Sequence, residues 1–145
     1  MFDISFVADQ PEHMEGGHQV LLGRTVLGGF SEEFLASLEV WSPSDYEAHW
    51  LDAATRLMRG EQRTGFWTSA FQFWWIMWRD GDLIYVREQI LVGEGLSASF
   101  DPKDPYSHIG PRQTDHAVGE TPSEWLLRID DVAAFIARRG PHLPP

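Results

Sequence analysis

Six histidines and seven tryptophans are the residues of this 145-residue chain most able to do chemistry, because it contains no cysteine. Without thiols there is no disulfide, no thiolate metal ligand and no cysteine nucleophile. His13 and His18, with Glu12 and Glu15 nearby, offer the nitrogen and oxygen donors a zinc-type ion takes. They fall in a polar break, where solvated histidines far outnumber ligands, so neither a metal site nor a cofactor is expected. His108, Asp115 and His116 could supply a base with its orienting carboxylate, but no nucleophile is tied to them by spacing, and a solvated loop is the simpler reading. His49 stands beside Trp50, one step off the apolar face of a helix, and reads as a boundary histidine. The tryptophans would suit a cation cage or a stacking platform. Trp74, Trp75 and Trp78, however, lie in a dense apolar run and read as core, while Trp41, Trp67 and Trp125 are left as partly exposed rings able to anchor a partner. The sequence has no phosphate-binding glycine loop, no Gly-x-Ser-x-Gly elbow, no His-Glu-x-x-His and no calcium loop. The expectation is therefore a protein that is not an enzyme. Its rival is a small enzyme or ligand-binding domain with a tryptophan-lined pocket, which would need convergent polar groups.

The elements that would position these residues suit one domain spanning 1–145, since a single core usually serves about 100 to 200 residues. With 43% hydrophobic and 23% charged residues, the chain is too apolar for disorder. Ile4 to Val7 and Val20 to about Gly28-Gly29 read as strands, and Phe34 to Val40 fits neither strand nor helix period cleanly. A helix over about 44–59 is expected: Ser44 and Glu47 make a capping-box pattern, Tyr46, Trp50, Ala53 and Leu57 share a face, and Gly60 stops it. Phe66-Trp67-Thr68 suits a strand. A hairpin over about 71–91 is the strongest local signal, with Asp80-Gly81 as its two-residue turn, so that Trp78 would face Leu83 and Trp75 would face Val86. Both its faces are apolar near the turn, which makes it a central hairpin, covered by the helix on one side and by the rest of the chain on the other. A long polar loop follows Val92. Ser123 to Ile129 reads as a strand, and Asp130 as the cap of a last helix over about 131–139. The fold class expected is α+β, with a mostly antiparallel sheet. The sequence shows no internal repeat.

Charge narrows the partners. The formal net charge is -11, beyond the magnitude of roughly 2 to 8 that solubility alone asks of a small domain. Seven of the acids lie in the first 40 residues, against Arg24 alone. Such a field repels a phosphate backbone and attracts a cationic surface, so no nucleic acid is expected as a direct partner. Neither an export leader nor an apolar run of the roughly 20 residues needed to cross a bilayer is visible. A cytoplasmic location, with no membrane partner, is expected.

The run Trp41-Ser42-Pro43-Ser44-Asp45-Tyr46 leading to His49-Trp50, then Thr68-Ser69, Trp74 through Val86, Ile109-Gly110-Pro111-Arg112, and Ser123-Glu124-Trp125 before a closing helix resembles bacterial contact-dependent growth inhibition (CDI) immunity proteins, the CdiI family, over roughly residues 34 to 137. The resemblance implies a small cytoplasmic protein that binds and neutralises the C-terminal toxin domain of a delivered effector, without catalysis. It also implies a cognate toxin domain as partner, with many such toxins being basic nucleases. The family supplies no interface motif to carry over. Charge points instead to the loop from Glu94 to Glu120, where Asp101, Asp104, Asp115 and Glu120 surround Tyr106 as one aromatic anchor. An alternative toxin-binding patch is Glu32 and Glu33 with Asp45 and Glu47, of which the last two could serve only to favour a helix N-terminus.

Overall fold

The computed structural model describes residues 1–13, 17–68, 73–90, 106, 109–112, 114 and 123–140. Strands β1 (Phe2–Phe6), β2 (Glu12–His13), β3 (Gln19–Leu27) and β4 (Phe30–Ser37) lead into helix α1 (Pro43–Met58). Strands β5 (Arg63–Trp67), β6 (Phe73–Asp80), β7 (Leu83–Ile90) and β8 (Trp125–Arg128) lead into helix α2 (Ile129–Arg139). Among the described residues, four strands and a helix are followed by four strands and a helix. The α+β class with antiparallel sheets holds.

In the first sheet β3 is central. β4 pairs along Val20 to Leu27, while β1 and β2 share the opposite edge, β1 against Gly23 to Leu27 and β2 against Gln19 and Val20. The turn from β3 to β4 is Gly28-Gly29, with Gly28 at φ +62°, a conformation that only glycine adopts freely. Pairing with β3 also resolves the ambiguous stretch around Phe34: its first half, through Ser37, is strand. Strand alternation then sends Phe2, Ile4, Leu27 and Phe34 inward. Phe34 lies directly on the backbone of Gly23, where an added Cβ would stand 2.4 Å from the ring.

Helix α1 is capped two residues earlier than the sequence pattern suggested. Pro43 occupies the first helical position, where its missing N–H costs nothing, so the cap must be the residue before it. Ser42 is that residue: its Oγ accepts from the Asp45 N–H, and the Asp45 carboxylate accepts from the Ser42 N–H at 2.9 Å. The predicted face of Tyr46, Trp50, Ala53 and Leu57 is buried, and Gly60 follows the helix at φ +98°. Asp130 does not cap α2; Asp131 accepts from the Arg128 N–H at 2.9 Å. The helix begins directly at the end of β8, where the Ile129 N–H is already held by the Asp82 carbonyl.

The second sheet runs β5-β6-β7-β8, so the β6–β7 hairpin is central as expected. Its turn lies one residue later than expected, which shifts every cross-strand partner by two. Asp80 pairs with Leu83, Trp78 with Tyr85 and Trp75 with Glu88, which makes the two-residue loop Gly81-Asp82. Both primed hairpin turns need positive φ at the first loop position, and Gly81, at φ +60°, takes it without the steric cost Asp80 would bear there. Gly81→Ala is expected to lose about 1 kcal/mol or more in urea melts and Gly81→Asn clearly less, since Asn tolerates the left-handed region better.

The core lies between the inner faces of both sheets and the two helices. Phe2 of β1 touches Phe66 of β5 and Phe135 of α2, with ring centres 5.4 and 4.9 Å apart. Trp50 of α1 meets Phe6 and Phe34 at 5.0 and 5.8 Å. Trp75 meets Trp125 at 5.4 Å and Phe30 of the first sheet at 6.5 Å. The inner face of the hairpin therefore rests on β4 and β8 aromatics, while α1 contacts this sheet chiefly through β5, with Arg79 of β6 donating to its Leu57 carbonyl, and α2 through β8.

Candidate functional site

The most chemically suggestive group of side chains joins α1 to the segment around Tyr106. The N–H of Trp67 donates to His49 Nε2 at 3.0 Å, so the proton of the neutral imidazole is on Nδ1, which faces the Tyr106 hydroxyl at 3.3 Å. Tyr106 donates in turn to Asp52 Oδ2 at 2.8 Å, and Arg56 donates to the same oxygen at 3.1 Å while lying 3.9 Å over the tyrosine ring. Burial pushes His49 down to about 3. Burial, then the hydrogen bond to Asp52, raises the Tyr106 phenol above its ordinary range. Burial works against ionisation of Asp52, yet its bonds to Tyr106 and Arg56 hold the carboxyl below the usual range. A catalytic base near neutral pH needs a proton-accepting atom that is free, and here both imidazole nitrogens are engaged. The arrangement fastens instead. β5 is an edge strand, and Trp67 exposes both backbone groups there: His49 takes the N–H and Trp50 Nε1 donates to the carbonyl at 2.8 Å.

A second set of bonds holds the segment 109–112 against the outer face of the second sheet. Arg63 donates to the Ile109 carbonyl at 3.0 Å and Trp78 Nε1 to the Gly110 carbonyl at 2.9 Å. Arg112 grips Glu124 through two bonds of 2.8 and 2.6 Å and stacks 3.9 Å over Tyr85, and Arg87 reaches the same carboxylate at 2.7 Å. The Arg112 hydrogen bond first, and Arg87 with it, keep Glu124 below the ordinary carboxylate range. Gly65 makes this packing possible, since a Cβ there would lie 2.7 Å from the Trp74 ring. Ile109-Gly110-Pro111-Arg112 and Glu124, quoted above as family-like, thus work as structural fasteners. Sequence reasoning missed both the Glu124 and the His49 clusters, because their partners are tens of residues apart.

Of the loop residues proposed for binding, Asp101, Asp104, Asp115 and Glu120 lie outside the described residues, as do His108 and His116. Tyr106 is half-buried, its hydroxyl committed as above. In the alternative patch, alternation along β4 separates Glu32 from Glu33. Glu32 shares the inner side with Glu88 of β7, whose carboxyl is raised to about 7 by burial and by hydrogen bonding to Glu32. Glu33 is exposed on the outer side, paired with Arg24 at 3.2 Å. Asp45 is exposed and serves the α1 cap, and Glu47 is exposed further along that helix. His18 pairs with Glu39, and among the described residues no three His, Asp or Glu side chains converge as a metal site. Trp67 and Trp41, read above as partly exposed, are buried, while Trp125 is half-buried. Trp67 stacks on Trp74, with ring centres 4.3 Å apart.

One open depression of about 560 Å³ lies on the outer side of the first sheet, lined by Glu12, Leu22, Glu33, Phe34 and Leu35 and by no tryptophan. Among the described residues no helix is long and apolar enough to cross a membrane.

Comparison with known proteins gives three findings. No curated protein matches the chain. Its fold is that of a chain in the CdiA-CT/CdiI toxin and immunity complex from Enterobacter cloacae, with a TM-score of 0.82, 23% identity, and coverage of 97% of this chain and 99% of that one. The family model for the CdiI N-terminal domain matches residues 36–135, which begins in β4 and ends in α2 and so takes in α1, the whole second sheet and both fastened segments. On that match over most of its length, the chain belongs to the CdiI N-terminal domain family.

Proposed function

We propose that this protein is an immunity protein that binds and neutralises the C-terminal toxin domain of a contact-dependent growth inhibition effector, by protein–protein contact and without catalysis. The family match across residues 36–135 carries this reading. The site geometry agrees with it, since the histidine and the tyrosine closest to a catalytic arrangement are used as fasteners and the interior tryptophans pack on one another. A net charge of -11 favours a cationic toxin surface, such as that of a basic nuclease, over an acidic one. Action on a toxin delivered into the cell places the protein in the cytoplasm.

Mixing the purified chain with its cognate toxin domain is expected to give a stoichiometric complex and abolish toxin activity; a toxin left fully active would overturn the reading. Asp101→Lys with Asp104→Lys is expected to slow association about tenfold at low salt and flatten its salt dependence, with the melting temperature unchanged, because rim charges act chiefly on encounter. Unchanged association kinetics would remove the acidic residues of 94–120 from the steering surface.

A further inference from the structure

We infer that the outer face of the first sheet, around the Leu22–Leu35 pair, is a seat for an arginine or lysine side chain of the toxin domain. The inference rests on the immunity reading above and names a contact separate from the acidic residues of 94–120. Leu22 and Leu35 are cross-strand partners, as are Arg24 with Glu33 and Glu12 with Val20, so alternation puts Leu22, Leu35, Glu12 and Glu33 on the same side of the sheet. The core aromatics Phe2 and Phe34 point to the other side, toward α1 and the second sheet. What remains is the open depression of about 560 Å³ with two half-buried leucines and two carboxylates in its lining.

That composition selects its occupant. A long cationic side chain is amphipathic: its methylene stem can cover leucine while its head stays among carboxylates and water. An anionic ligand would meet two negative charges, and a purely apolar one would strip water from them without return. A second copy of the chain would bring a like-charged face, since the first 40 residues carry seven acids and one arginine. That arginine, Arg24, pairs with Glu33 at 3.2 Å in an exposed contact of the kind that contributes little and exchanges readily. Glu12 has no ion pair among the described residues.

Surface-plasmon kinetics with the cognate toxin domain test the seat through three variants. Leu35→Lys, which places a like charge in the depression, is expected to weaken binding about 100-fold or more, mostly through faster dissociation. Glu12→Lys with Glu33→Lys is expected to slow association about tenfold at low salt and to lose that effect at high salt. Leu126→Lys, at an apolar residue 60% exposed on β8 of the other sheet, is expected to bind as the parent does. Should Leu35→Lys fail to fold, the paired glutamate variant decides alone. If the parent binds while the seat variants bind within about twofold of it, or if Leu126→Lys weakens binding as much as they do, the seat is wrong and the immunity function stands. If the parent binds no toxin domain, the function reading falls and the seat with it.

Discussion

Replacing Trp75 by alanine is expected to lower stability by about 3 to 5 kcal/mol, the range for removing a large aromatic ring from a packed core. Trp75 is 2% exposed on the inner side of a central strand, and its ring meets Phe30 of the first sheet and Trp125 of β8. Its loss would open a gap where the two sheets meet, bordered by residues from three strands that cannot all close in on it. The gap also lies beside Glu88, the cross-strand partner of Trp75, and water entering there would ease the burial that raises that carboxyl. Trp78→Ala, at a half-buried position on the other face, is expected to cost clearly less. Urea melts of both variants at pH 7 make the comparison. A loss below about 1 kcal/mol for Trp75→Ala would mean that the hairpin is not the seam between the sheets.

At pH 4.5 the His49→Gln variant is expected to be more stable relative to the parent than at pH 7.5, by as much as about 3 kcal/mol. The ordinary imidazole value is 6.5, and in the fold burial holds His49 at about 3. Between those limits the unfolded chain binds a proton that the folded chain does not, so stability falls as the pH drops below about 6.5, by at most about 1.4 kcal/mol per pH unit. Glutamine removes the titration while its amide oxygen can still accept from the Trp67 N–H. Glu88 runs the other way: its folded value, about 7, lies above the ordinary 4.5, so the folded chain binds the extra proton and stability falls as the pH rises through that window. The two slopes oppose each other between about pH 4.5 and 6.5. Glu88→Gln should therefore leave an acid-labile protein and His49→Gln one that gains in mild acid. Denaturant melts at four pH values between 4.5 and 7.5 read both. Parallel stability curves for the parent and His49→Gln would show that His49 is not held neutral by burial.

Local periodicity and turn chemistry made much of this protein legible as sequence. The α1 face of Tyr46, Trp50, Ala53 and Leu57, the strands around Ile4, Val20 and Phe66, the central hairpin and the closing helix all follow from side-chain spacing within a dozen residues. Boundaries were less secure. Ser44 with Glu47 and Ser42 with Asp45 are equally good capping patterns on paper, and Pro43 settles the choice in favour of Ser42 by occupying the first helical position. The hairpin turn moved by one residue for a similar reason, a conformational demand at one position that Gly81 meets and Asp80 does not.

By itself the sequence determined composition, charge and the order of local elements: a cysteine-free acidic chain, strands and helices in an α+β order, and a family resemblance borne by aromatic and turn residues. It could not determine which distant groups meet. His49 was read as a boundary residue because helical spacing leaves it one step off the apolar face, yet the edge of β5 lies above it and supplies an N–H that needs an acceptor. Arg112 and Glu124 are ordinary surface charges until the second sheet brings Arg87 and Tyr85 beneath them. Neighbouring Glu32 and Glu33 looked like one acidic patch; pairing of β4 with β3 turned Glu32 inward to a carboxyl on another sheet and left Glu33 outside beside the leucines. The physical reason is common to all three cases. Propensity and periodicity act over one or two turns of chain, whereas the desolvation of a charge and the satisfaction of a buried donor depend on whatever the fold lays against it.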